Sequence, residues 1–274
     1  MSLLRVLTYN IHHWQGTDGR VDAARVTAVI DATGADLIAL NEVYHPASLP
    51  GVEEPPLAAM AHSLGMEYAF GPALPQKAFA GSEASFGNAL LSRYPILAYA
   101  THRLPPVEGH EPRSLLEARV LLPSGRALTL YVTHLDYQSE ETRLVQVGGL
   151  LLWTGRDRGQ LHLLLGDLNA LAPGDYAGQQ EPWPALEAAI GEPGRRLTEP
   201  QVVPRLLRAG YVDAFATKGE GAGETYPTTR PLIRIDYIFI PEAGREALHT
   251  CRRWDAGVAR AASDHFPVLA ELNL

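Results

Sequence analysis

Short apolar runs that finish in a polar side chain constrain this sequence more than any other feature. LLRVLTYNI (3–11) is rich in β-formers and reads as a buried strand ending near Asn10. VDAARVTAVIDATGA (21–35) spaces Ala24, Val26, Val29 and Ile30 as an amphipathic helix closing near Gly34, and DLIALNEV (36–43) is a second strand with Glu42 at its end. The same grammar recurs. GNALLSR, LLEARVLL and ALTLYVTHL read as strands, ETRLVQVGGLLLWTG as a helix, LHLLLGDLNA as a strand into a turn, PQVVPRLLRAG as a short helix, and RIDYIFI and FPVLAEL as closing strands. The runs 115–122 and 126–134, joined through PSG, predict an antiparallel hairpin, so hairpins mix with αβ crossovers. Such a chain folds as a mixed sheet, or as two packed sheets flanked by helices, in preference to a doubly wound parallel fold. The Pro- and Gly-rich segments 46–56, 71–87, 170–184 and 217–231 are expected to be long loops, where a substrate rim is built.

No low-complexity linker divides the 274 residues, and the hydrophobic fraction of 46% is ample for a core, so one α/β domain spanning 1–274 is expected. MSLLRVLTYN lacks the charged start and long apolar run of a signal peptide, and no stretch is long and apolar enough for a membrane span. A soluble, cytoplasmic protein without an obligate protein partner is the expectation. The single cysteine, Cys251, excludes an intrachain disulfide and a cysteine-based zinc cluster. A net charge of −8 argues against wrapping a nucleic-acid backbone, because counterion release needs a broad Lys/Arg surface. The arginine doublets at 195–196 and 252–253 read as solvated faces.

Chemistry enters with the polar strand ends. Asn10, Glu42 and His134 end strands, Asp167 and Asn169 follow LLLG, Asp236 lies in RIDYIFI, and Asp264 with His265 precedes FPVLAEL. Each alone has a plain structural reading: a turn cap, a solvated strand end, an Asx-turn, an interior histidine, an N-cap. Brought together at one end of a sheet, these carboxylates, amides and imidazoles make a site for a hard metal with acid–base groups beside it. Ser263 and His265 with Asp236 make a poor hydrolase triad, since no G-x-S-x-G elbow surrounds the serine. Trp14, Tyr176 and Trp183 fall in rim segments, where core packing or loop anchoring is favoured over stacking on a substrate.

The ordered series TYNIHH (8–13), LNEV (40–43), GNALLSRYPI (87–96), EPRSLLEA (111–118), THL (133–135), GDLNA (166–170), RIDYIF (234–239) and SDHFPV (263–268) resembles the endonuclease/exonuclease/phosphatase superfamily, DNase I-like, and among it the small bacterial members. The resemblance implies a four-layer sandwich of two packed mixed β-sheets flanked by helices. It implies that Glu42 binds Mg²⁺ or Mn²⁺ with Asn10 close by, and that Asp264 lies near the same or a second metal. Asp167 aligns or deprotonates the attacking water, and Asn169 donates to a phosphoryl oxygen. His265 contacts the phosphate or acts as base, with its tautomer held by Asp236; His134 faces the phosphate or leaving oxygen, and Arg113 binds phosphate. One departure is Asn41, where the family commonly has glutamine; the shorter side chain is expected to shift the groups behind the site. In HRLPPVEGHEPRS (102–114), His102 and His110 are assigned to the surface.

The expected function is therefore a metal-dependent phosphoesterase, foremost a phosphodiester hydrolase using an activated water. A nuclease of the same fold, or a module that binds a phosphate ligand without hydrolysing it, are the alternatives. The phosphoester is a small molecule, a lipid headgroup or a nucleic acid, and the acidic balance tilts away from duplex DNA.

Overall fold

The computed structural model describes residues 3–47, 54–77, 83–180 and 182–274. Its opening is the expected strand, helix and strand: β1 (Leu3–Asn10), α1 (Ala23–Thr33) and β2 (Leu37–His45). Asp22 caps α1 by accepting from the Arg25 N–H, and Gly34 ends it in the left-handed conformation at φ 62°, which glycine adopts without a Cβ clash. Then come α2 (Pro56–Leu64), β3 (Glu67–Lys77), β4 (Glu83–Ser92), β5 (Ile96–Arg103), β6 (Ser114–Leu121) and β7 (Ala127–His134). Helix α3 (Glu140–Thr154) is capped by Ser139. It is followed by β8 (His162–Asp167), α4 (Trp183–Ile190), α5 (Val202–Arg208), β9 (Tyr211–Asp213), α6 (Ala214–Lys218), β10 (Gly219–Glu220), β11 (Asp236–Pro241), β12 (Leu248–Arg253), α7 (Ala259–Ala262) and β13 (Val268–Asn273).

The strands form two mixed sheets, ordered β10-β12-β13-β1-β2-β4-β3 and β5-β6-β7-β8-β11-β9. Val6, Leu37 and Leu90 of the first meet Leu116, Leu130, Leu163 and Ile238 of the second in a core between them. On the outer face of the first sheet, Leu7, Ile38 and Leu91 pack with Val26, Ile30, Leu57 and Met60 of α1 and α2. On the outer face of the second, Tyr131, Leu164 and Phe239 pack with Val147 and Leu150 of α3 and Val202 and Leu206 of α5. This is the expected four-layer architecture. It explains why β1 and β8 read as continuous apolar runs, since both of their faces are covered.

The predicted hairpin is β6 paired antiparallel with β7. Other expectations change. Segment 71–87, expected as a loop, is largely β3 and β4 in its described part. Its glycines serve close strand approach: a Cβ on Gly87 stands 2.2 Å from the Gly71 carbonyl oxygen. Segment 170–184 holds the turn Pro173–Tyr176 and the start of α4, and 217–231 holds the end of α6 and β10. Of 46–56, residues 48–53 lie outside the described residues. Helix α2 and the strands β5 and β12 went unread; β5 is a largely exposed edge, so its short apolar stretch ILAYA carries no alternation of buried and polar positions.

Register is what positions the site. Strands β1 and β2 run parallel with Asn10 opposite Asn41, and β7 and β8 run parallel with His134 opposite Asp167. Strand β11 returns antiparallel, setting Asp236 opposite Asp167. Strand β13 pairs antiparallel with β1, Val268 opposite Thr8, so the preceding Asp264 and His265 arrive at the Asn10 end. Every chemical group expected from the strand ends is therefore delivered to one edge of the sandwich.

Candidate active site

Glu42 reaches the cleft through a break in pairing. The register of β2 against β4 shifts between Leu40 and Val43, and Glu42 sits at φ 59°. A bulge of this kind re-aims a side chain at the cost of local strain. Among the described residues, the non-glycine positive-φ positions are His12, His13, Trp14, Glu42 and Asn169, and all but Trp14 line one cleft of about 270 Å³. Backbone strain is thus gathered where the polar groups converge.

The groups bind one another closely. Asn10 Nδ2 donates to Glu42 Oε1 at 2.9 Å and to Asp167 Oδ2 at 3.0 Å, while its Oδ1 accepts from the His12 N–H at 3.0 Å. The amide nitrogen, not the oxygen, therefore faces the carboxylates. His13 Nδ1 lies 3.4 Å from Glu42 Oε2, and His12 Nδ1 lies 3.8 Å from Asp264 Oδ1. His265 is held through Nδ1 by Asp236 Oδ2 at 2.8 Å, which leaves Nε2 at 3.8 Å from Asp167 and 4.0 Å from Asp264. Asn169 closes an Asx-turn, its N–H donating to Asp167 Oδ1 at 2.8 Å. Its Nδ2 then lies 3.0 Å from His134 Nε2 and 3.1 Å from the Leu135 carbonyl. Ser263 Oγ donates to the Asn10 carbonyl at 2.8 Å, so it serves the turn, as expected.

Burial sets the charges. It pushes the Asp167 carboxyl up, and neighbouring Asp236 pushes it further. At His265 burial disfavours the cation, but Asp236, Asp167 and Asp264 together outweigh it and raise its proton affinity. His134 moves the opposite way, well below an ordinary histidine, through burial and the adjacent Arg113 guanidinium. Burial also opposes the charge on Glu42, yet the His13 hydrogen bond, His134 and Asn10 hold it ionised. Of the four carboxylates gathered at the strand ends, Glu42 and Asp264 are open to solvent, with side chains 19% and 31% exposed, against at most 1% for Asp167 and Asp236.

A family model for the endonuclease/exonuclease/phosphatase family matches residues 7–265. The chain belongs to that family. Its members hydrolyse phosphoester bonds, and membership supports an activity of this type. The chain is similar to Escherichia coli YbhP, 28% identical over 281 residues that cover 98% of this chain and 96% of that protein. A family structure from Beutenbergia cavernae is 26% identical with a TM-score of 0.77, covering all of this chain and 72% of its own. The Neisseria 3′ phosphatase NExo, bound to a product DNA hairpin, shares the fold at TM-score 0.65 and 20% identity, covering 99% of this chain and 100% of that one.

All nine residues expected from the sequence meet here: Glu42, Arg113, His134, Asp167, Asn169, Asp264 and His265 line the cleft, with Asn10 and Asp236 directly behind. Asn41 does more than the expected shift behind the site. Fully buried, it donates to Asn88 Oδ1 at 2.8 Å and the Thr133 carbonyl at 2.9 Å and accepts from the Asp167 N–H at 2.9 Å, joining the two sheets. Arg195 is a correction. Instead of a solvated face it is 3% exposed, and its Nη2 donates to Asn169 Oδ1 at 2.7 Å. The signal for it was present in its loop, since Glu192 three residues earlier is its partner, but loop geometry has no period to read. His12 and His13 also line the cleft without having been chosen. His110 instead pairs with buried Asp136 at 3.0 Å, and His102 stacks on Trp153 at 3.6 Å. Trp14 and Tyr176 are buried, as the packing reading had it.

Proposed function

We propose that this protein is a divalent-metal-dependent phosphoester hydrolase that uses a water activated in the cleft. The observation that carries this reading is the convergence in one cleft of the carboxylates of Glu42, Asp264 and Asp167 with Asn169, His134, Arg113 and Arg195. A phosphoryl group bound among them meets charge stabilisation on its oxygens and a proton acceptor at the attacking water.

The donor set fits a hard cation. Glu42 and Asp264 offer oxygens and stay open to solvent, which suits Mg²⁺ or Mn²⁺, ions that keep several waters and need few carboxylates. Bound there, the ion supplies Lewis-acid stabilisation of the developing charge. Asn10 orients Glu42 by donating to it, and the nearby imidazoles of His12 and His13 shift the preference from Mg²⁺ toward Mn²⁺. Asp167, fixed by Asn10, the Asn41 amide and Asn169, aligns the water and takes its proton. His265 donates from Nε2 to a phosphoryl oxygen while Asp236 holds Nδ1. Asn169 donates to another oxygen, and His134 faces the leaving group. A phosphodiester is the substrate that the sequence pattern favours, whereas the two buried guanidiniums, Arg113 and Arg195, favour a monoester.

Release of 4-nitrophenol from 4-nitrophenyl phosphate and bis(4-nitrophenyl) phosphate, with a panel of natural phosphoesters, tests the reading. Turnover that needs Mg²⁺ or Mn²⁺ and stops with EDTA is the expected result. Absence of turnover across the panel refutes hydrolysis and leaves a phosphate-binding module.

A further inference from the structure

Within the cleft, one chain of polar contacts runs from rim to rim. Arg195 Nε donates to Glu192 Oε2 at 2.5 Å and Arg195 Nη2 to Asn169 Oδ1 at 2.7 Å. Asn169 Nδ2 lies 3.0 Å from His134 Nε2, Arg113 Nη1 lies 3.4 Å from His134 Nδ1, and Arg113 Nη2 meets Glu111 Oε2 at 3.1 Å. The order is carboxylate, guanidinium, amide, imidazole, guanidinium, carboxylate. All six line the same cleft.

What separates this chain from an ordinary ion-pair network is where its anions lie. Both guanidinium side chains are 3% exposed, while Glu192 and Glu111 are 25% and 55% exposed. Elsewhere, Arg143 pairs with buried Glu140, at 2% and 6%, and Arg234 has buried Asp213, at 3% each, beside the more open Asp175 at 30%; among the described residues the ion pairs of Arg113 and Arg195 are with the rim carboxylates alone. Arg113 Nε and Arg195 Nη1 are also buried without a hydrogen-bond partner. A buried cation whose counter-ion sits at the solvent edge is left for a better anion, because the rim carboxylate regains hydration when displaced and the cation does not. Two such cations match a dianion.

A phosphomonoester carries about −1.5 to −2 charge at neutral pH and three acceptor oxygens. A diester is a monoanion with two free oxygens, and a polynucleotide brings flanking phosphates against Glu111 and Glu192. We propose that the substrate is a small molecule with a terminal phosphate, and that Arg195, together with Arg113, selects this dianion over a diester. This rests on the phosphoester-hydrolase reading above. In the reaction, the water oxygen forms a new P–O bond, the P–O bond to the alcohol breaks, the alcohol leaves with a proton, and orthophosphate remains. Arg195 has a positioning task as well, since by holding Asn169 Oδ1 it keeps Nδ2 toward His134.

The test compares 4-nitrophenyl phosphate with methyl 4-nitrophenyl phosphate, which share a leaving group, on the full chain with Mn²⁺. Wild type is expected to favour the monoester in kcat/KM by about tenfold or more, the value of one charge-assisted hydrogen bond. Arg195→Gln is expected to raise KM for the monoester by roughly tenfold or more and to move the diester less, with Arg195→Lys recovering part of the loss. Orthophosphate should inhibit competitively, dimethyl phosphate should not, and Glu192→Gln should make orthophosphate a tighter inhibitor. That last gain cannot arise from misfolding. A wild-type preference for the diester, equal losses on both esters in Arg195→Gln, or weaker orthophosphate inhibition in Glu192→Gln overturns the monoester proposal and leaves the hydrolase reading standing. No metal-dependent turnover of either ester or of the panel of natural phosphoesters overturns that reading and the proposal with it.

Discussion

At the scale of single residues, the site separates groups by what removing each does. Glu42→Ala takes away a solvent-open carboxylate, so the Mn²⁺ concentration for half-maximal activity should rise roughly tenfold or more, as titration of the apo-protein reads. His265→Ala should lower kcat by about 10²-fold or more with the fold retained by circular dichroism, while the melting temperature falls because the buried Asp236 carboxylate loses its partner. Wild-type rates in both variants would remove the roles assigned above. The sequence disclosed these residues because each stands at the end of an apolar strand, where a charge has no reason to be except chemistry or solvent. It disclosed neither Arg195 nor the histidines at 12 and 13. Arg195 lies in a loop whose course is set by contacts remote in sequence, and His12 and His13 reach the cleft through positive-φ backbone that no residue pattern announces.

At the scale of elements, β8 carries the most consequence. Gly166 has φ 139°, and a Cβ there would lie 1.8 Å from the Thr133 carbonyl oxygen of β7. Gly166→Ala must push these strands apart beside Asp167. A loss of about 3 kcal/mol or more in urea unfolding is expected, together with lost turnover. At the other end of β8, His162 Nε2 lies 2.7 Å from the Tyr211 hydroxyl and Nδ1 lies 3.1 Å from the Gln160 carbonyl, so the neutral ring uses both nitrogens. Burial holds its proton affinity below the ordinary value. The sign follows: the neutral form is the folded one, so its contribution is complete above the unfolded pKa of about 6.5 and is lost as pH falls from there through the folded value. His162→Gln should therefore lose stability relative to wild type at pH 8 and less at pH 5, as paired denaturation curves measure. Strand periodicity made β1, β2, β7 and β8 legible, but β5 and β12 lack buried runs and the glycines of β3 and β4 mimic a loop.

For the whole molecule, the two sheets share one core, in which Leu163 of β8 packs with Val6 of β1. Leu163→Ala should cost about 2–5 kcal/mol, and near- and far-ultraviolet circular dichroism should lose signal in one coincident transition. Two separated transitions would divide the chain that is read as a single domain. Among the described residues no helix is long and apolar enough to cross a membrane. The architecture was legible because hairpin and crossover signals both appear in the chain; the inter-sheet join at Asn41 was not, since a buried amide in an apolar strand has no partner in its own segment.

That join carries a mechanical implication. Asn10 and Glu42 hang from one sheet, Asp167 and His134 from the other, and Asn41 ties the Asp167 amide to the first sheet across the interface. A slide of one layer over its neighbour by a single atom's width would pull apart the two halves of the reaction centre before either layer came undone. Turnover is thus a vernier for the alignment of the sandwich, sensitive to pressure or to a distant repacking that leaves every helix and strand intact.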